Sequence, residues 1–159
     1  MRNRRRSLSG ADRRLARPGV TGHLGGHPHL VTTLTLHATG PVTPAKAWDR
    51  YRVVGRWPEW SPQIMGVVTE AERIGQGVTG RVRSPLGVTL PFVVDEVDDA
   101  SRVWTWSVFV GPIRLQLRHW VSPGPDGGST TGTRLRGPAP LVAGYAPLTL
   151  LALQRLVRT

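Results

Sequence analysis

The chain has no cysteine in 159 residues. That excludes disulfides, a thiol nucleophile and any thiolate-ligated metal centre, and it suits a reducing compartment. Lysine is almost absent as well, since Lys46 alone accompanies 20 arginines. With abundant Gly, Pro, Ala and Val, this bias matches GC-rich coding as well as it matches arginine chemistry. Acids are few, ten against 21 bases, and no predicted helix carries two carboxylates at helical spacing. No phosphate-binding glycine loop and no nucleophile elbow is present. No apolar run reaches the roughly 18 residues that a spanning helix needs. Among the larger apolar residues only two Phe, two Tyr and two Met occur, yet there are six Trp. Two of these form the bracket Arg56-Trp57-Pro58-Glu59-Trp60-Ser61-Pro62.

The net charge of +11 is uneven: residues 1–28 carry seven Arg against Asp12, and the remaining 131 residues carry only +5. Residues 1–28 are rich in Gly and Pro and poor in large apolar side chains, so they are expected to form a disordered Arg-rich tail. No aromatic is interleaved with these arginines and no nucleic-acid-binding signature follows, which argues against a nucleic-acid partner. No apolar stretch of signal-peptide length follows them either. A cytoplasmic protein without a membrane span is the expectation. His23, His27 and His29 lie close together but lack an acidic partner, so no metal site is assigned and no cofactor is expected.

Residues 29–159 have the length of one domain. Leu30, Thr32, Leu34, Leu36 and Ala38 alternate as in a strand. Thr43-Pro44 supplies an N-cap and a proline at the first helical position, predicting a helix of two to three turns through Ala47, Trp48, Tyr51 and Arg52 that Gly55 and Pro58 stop. The tryptophan bracket should then form a second short helix or turn. Six strands are predicted near 64–72, 77–84, 88–97, 102–110, 113–122 and 129–136, punctuated by Gly, Pro and Asp turns as in an antiparallel meander. From Pro138 to Thr159 the chain is apolar almost all round, predicting a long helix covered on most sides and kinked or delimited at Pro147.

Alternation also assigns faces. Val88, Leu90, Phe92, Val94 and Glu96 share one, as do Trp104, Trp106, Val108 and Val110, and then Ile113, Leu115, Leu117, His119 and Val121. These should line the concave side, with Arg81, Arg83, Arg114, Gln116, Arg118 and Trp120 outside. His119 stands out on an apolar face. It reads as a satisfied core histidine, as a polar anchor for a ligand carbonyl or hydroxyl, or as an acid–base group. Glu96 reads as solvated near its strand end. Trp57 and Trp60 read either as a lid over a pocket or as a cap on the core. The candidate ligand-binding set is therefore Trp57, Trp60, Met65, Phe92, Trp104, Trp106, His119 and Tyr145, and no catalytic set can be assembled.

The element order, the Trp57 to Pro62 motif, Pro44-Ala45-Lys46-Ala47-Trp48-Asp49, Gly75 to Val82, Pro91 to Val97 with Trp104-Thr105-Trp106, and Arg118-His119-Trp120-Val121 together resemble the START-like SRPBCC superfamily of polyketide cyclases/dehydrases and lipid-transport proteins. The resemblance spans about residues 30–158. It implies an α+β helix-grip fold, a seven-stranded curved antiparallel sheet wrapped around the C-terminal helix, with a hydrophobic cavity between them. In one respect the chain departs from that pattern: Gly128 to Thr133 is poor in apolar residues, which predicts a loosely packed closing end. Three functions remain open. One is non-catalytic binding of a lipid or polyketide-like small molecule by a monomer or weak homodimer. The second is an aromatase or cyclase that uses His119 or Tyr145. The third is an interaction module using the basic tail or the apolar last helix.

Overall fold

A computed structural model describes residues 30–158. The expected tail and its histidines lie outside them. Seven antiparallel strands form one sheet in the order β1-β7-β6-β5-β4-β3-β2. They are β1 (Val31–Gly40), β2 (Gly66–Val68), β3 (Thr79–Arg83), β4 (Thr89–Asp98), β5 (Val103–Val110), β6 (Ile113–Pro123) and β7 (Ser129–Pro138). Only β2 falls well short of its expected length. The sheet curves around the C-terminal helix α3 (Ala139–Leu156), which packs on β1 and β7. This is the helix-grip fold.

Helix α1 (Pro44–Arg52) starts where capping chemistry places it: the Thr43 hydroxyl accepts from the Lys46 backbone N–H at 3.4 Å, and Pro44 needs no partner at N1. It buries Ala47, Trp48 and Tyr51, residues spaced to share one face. A 3-10 turn (Val54–Arg56) then leads into α2 (Trp57–Trp60), a single helical turn that lowers both tryptophans into the concavity. At the far end of α1, Arg50 donates to the carbonyls of Leu156 and Arg158 at 2.5 and 2.7 Å, which occupies acceptors that the end of α3 leaves open.

Two sequence expectations need correction. Glu96 does not share the face of Phe92 and Val94. The β4–β5 register slips between Val94 and Glu96, so Val94 pairs with Trp106 while Glu96 pairs with Thr105 and Val97 with Trp104. This β-bulge at Asp95 inverts the alternation. Val97 turns inward, and Glu96 reaches Arg118 on the convex side at 3.4 Å.

The second concerns α3 and the closing end. The helix buries Val142, Thr149, Ala152, Leu153 and Leu156, while Ala143, Gly144, Pro147 and Leu148 face outward. Apolar composition all round therefore does not mean cover all round, because small residues occupy much of the open side. The polar end of β7 is not loose. It lies between β1 and β6, with Ser129, Thr131 and Thr133 fully buried. Among the described residues, no helix is long and apolar enough to cross a membrane.

Gly132 on β7 is required by close approach. A Cβ there would overlap the indole of Trp120 and come within 2.9 Å of His37 Nδ1. The Trp120 ring lies over the bare backbone, edge-on to His37 at 5.4 Å between centroids. Gly132→Ala is expected to destabilise the domain by about 1–3 kcal/mol through overpacking, read as a lower urea midpoint with an unchanged slope.

Candidate functional site

The concave face carries an aromatic cluster assembled from three separate parts of the chain. Trp57 stands at its centre, 1% exposed, with ring centroids 5.6 Å from Phe92, 5.5 Å from Trp104 and 5.1 Å from Trp106. Its Nε1–H donates to the Tyr51 carbonyl at 2.9 Å. Trp60 donates to the Arg50 carbonyl at 3.2 Å and meets Tyr51 edge-on. Both indoles are thus anchored to α1 and packed into the interior. Trp57 plugs the concavity where a lid was one of the expectations.

His119 is 4% exposed and stacks on Trp104, with centroids 4.9 Å apart and planes 19° from parallel. Trp106 Nε1–H lies 3.0 Å from His119 Nε2. An indole N–H can only donate, so Nε2 is the acceptor and the imidazole proton sits on Nδ1. That nitrogen is buried and has no partner among the described residues. Burial pushes the imidazole pKa down to about 3, so the ring is neutral at physiological pH. Its lone pair is taken and its free valence is a donor.

Tyr51 adds a second buried polar link. Thr131 spends its hydroxyl proton on the Trp120 carbonyl at 3.0 Å, so the Tyr51 hydroxyl donates to Thr131 Oγ1 at 2.8 Å. Burial drives the Tyr51 pKa far above its ordinary value.

A cavity of about 20 Å³ lies between the sheet, α3 and the 57–64 turn. Trp57, Trp60, Trp104, Trp106 and His119 line it, with Ser61, Gln63 and Thr149. Polar atoms buried without a partner belong to four of these side chains: Ser61 Oγ, Gln63 Oε1, Trp104 Nε1 and His119 Nδ1. Such atoms are costly in an apolar interior. On the surface side of Gln63, a groove of about 200 Å³ runs between α3 and the β3–β4 hairpin, lined by Pro62, Val82, Pro85, Leu86, Leu90, Tyr145 and Leu148. Gln63 borders both spaces.

The structure therefore brings five of the eight sequence candidates around the inner cavity. Phe92 packs behind Trp57 and Trp106, and Tyr145 lies on the outer groove, its pKa raised to about 12 by burial. Met65 is the exception. It is 66% exposed and lines neither space, because the 61–64 turn ends just before it and Ile64 takes the buried position. Sequence reasoning missed Gln63, Ser61 and Tyr51 as site residues. Tyr51 had a signal, three residues after Trp48 on an amphipathic helix, whereas a glutamine in a turn has none. Among the described residues no three His, Asp or Glu side chains group to hold a metal ion.

The family model described as polyketide cyclase/dehydrase and lipid transport matches residues 31–158. The chain belongs to this family. Two solved structures agree with that placement at the level of fold. Ara h 8.0201 is similar with a TM-score of 0.63 at 19% identity, covering 79% of this chain and 95% of its own. The Bacillus cereus protein XoxI is similar with a TM-score of 0.58 at 21% identity, covering 80% of this chain and 94% of its own. No curated protein matches in sequence. The family and fold are of the hydrophobic-ligand-binding type. In this chain Trp57 and its neighbours fill most of the concavity and leave an inner cavity of only about 20 Å³.

Proposed function

We propose that the protein binds a compact hydrophobic molecule, lipid- or polyketide-like and bearing a carbonyl or hydroxyl oxygen, without turning it over. The carrying observation is the set of buried, unpartnered polar atoms around an otherwise aromatic cavity. Two of them, His119 Nδ1–H and Trp104 Nε1–H, are donors and call for an oxygen acceptor. The apolar body of the ligand would lie in the groove between Leu86, Leu90, Tyr145 and Leu148, and its oxygen would pass Gln63. The inner cavity of about 20 Å³ is one water in size, so entry requires Gln63 and the 57–64 turn to shift.

The same geometry weighs against catalysis by the two residues considered for it. A base needs a free lone pair, and that of His119 is engaged by Trp106. Tyr145, raised to about 12, is a poor source of phenolate near neutral pH.

The test is a titration with fluorescent fatty acids and aromatic ketones, read by quenching of the buried tryptophans, alongside native mass spectrometry for a co-purified ligand. Saturable binding is expected. His119→Gln should weaken ketone binding about tenfold, the worth of one hydrogen bond, and leave a hydrocarbon of the same shape unaffected. No saturable binding of any such ligand would sink the proposal.

A further inference from the structure

The convex face of the sheet is independent of this interior and has an unusual charge pattern. In the ladder, Arg118 on β6 stands opposite Arg134 on β7, and Gln116 opposite Arg136. Directly opposed strand residues lie about 5 Å apart at Cβ and diagonal ones about 7–8 Å, so three guanidinium groups share one small area. Like charges so placed repel and weaken the sheet. Acids relieve only part of this. Glu96 reaches Arg118 at 3.4 Å, and Asp95 is committed to Ser107 and Arg114 at 2.6 and 3.3 Å. Among the described residues neither Arg134 nor Arg136 has a carboxylate within ion-pair distance.

A second observation points to a ligand at the same place. These arginines line a groove of about 680 Å³ with Gln76, Gln116, Glu96, Asp95 and Thr105. Thr105, opposite Arg118 on β5, is only 7% exposed, and its hydroxyl is buried with no partner. A hydroxyl, an amide and three guanidinium forks around one groove match a tetrahedral oxyanion, which offers several acceptor oxygens and close to two charges.

We propose that the groove formed by Thr105, Gln116, Arg118, Arg134 and Arg136 binds a phosphate group. The group is carried either by a small phosphorylated molecule or by a lipid headgroup. Arg134 and Arg136 supply the uncompensated charge and Thr105 fixes the position. Glu96 opposes binding by competing for Arg118.

The experiment titrates the full chain with inorganic phosphate and pyrophosphate, following Thr105 amide and arginine Nε–H signals by NMR. Parallel sedimentation uses phosphatidylcholine vesicles with and without phosphatidic acid. Phosphate should shift Thr105 and the Arg134 and Arg136 signals. Joint Arg134→Ala and Arg136→Ala substitution should weaken binding tenfold or more, Thr105→Val should weaken it about threefold to tenfold, and Glu96→Gln should strengthen it about threefold. Thermal midpoints of the variants check folding, which Thr105→Val, nearly isosteric, should retain. A response to soluble phosphate assigns a small-molecule ligand. A response confined to phosphatidic acid vesicles, and lost with the same substitutions, assigns a headgroup. The proposal is overturned if neither responds, if the substitutions leave binding unchanged, if Glu96→Gln weakens it, or if single-stranded DNA binds while phosphate does not.

Discussion

Replacing Trp57 with alanine is expected to remove about 3–5 kcal/mol of stability and lower the thermal midpoint by about 10–25 °C. The side chain is 1% exposed and touches Phe92, Trp104 and Trp106 at once. Its loss would leave a cavity walled by large, stiff rings from two strands, which relax into empty space less readily than flexible aliphatic chains. It would also leave the Tyr51 carbonyl without its indole donor. Against a typical net stability of about 5–15 kcal/mol, this approaches the threshold of folding. Trp57→Phe, which keeps much of the volume, should cost about half as much. Added indole should restore part of the alanine variant's midpoint in a concentration-dependent way, because only the folded state offers the cavity. Calorimetry with and without indole checks all three. A midpoint within about 2 °C of the parent would mean that Trp57 is a flap over the surface and not the plug of the core.

The second large effect is on acid stability. His119 titrates near 6.5 when unfolded and near 3 when folded, because burial disfavours the imidazolium. Between these values the unfolded chain binds a proton that the native chain does not, so stability rises with pH. It is fully present above about pH 6.5 and is lost as pH falls, at about 1.4 kcal/mol per unit. The total by about pH 3 is about 4–5 kcal/mol. Asp98, held low by hydrogen bonds from Ser101, acts in the same direction where carboxylates titrate. Comparison with His119→Gln isolates the histidine: glutamine keeps an acceptor for Trp106 but binds no proton. Urea unfolding at steps from pH 7 to pH 4 should show a steep decline in the parent and a much flatter one in the variant. Parallel declines would remove His119 as the cause.

These expectations rest on different kinds of information. The order of elements and the assignment of Phe92, Trp104, Trp106, Leu117 and His119 to the inner face were legible in the sequence. Side-chain alternation with a period of two is a local property, and turn residues delimit it. The start of helix α1 was legible to the residue, because Thr43-Pro44 is a local capping signal, whereas its end at Arg52 was bounded only by Gly55 and Pro58. Glu96 was misplaced because a bulge is set by pairing with β5, which the alternation along β4 alone does not record. Met65 was misplaced because the register of a short turn decides whether it or Ile64 faces inward.

What the sequence by itself determined is the architecture, the family pattern and, where the strand alternation runs unbroken, which side chains of the central strands point inside. Only the tertiary structure decided how much space they leave. Filling by Trp57, the bond from Tyr51 to Thr131, 80 residues further along the chain, and the shared border at Gln63 all depend on distances between segments remote in sequence. The arginines of β6 and β7 become neighbours only through strand register. Packing volume and unpaired polar atoms are properties of the assembled interior. No local pattern encodes them, since each depends on what several elements place at one point.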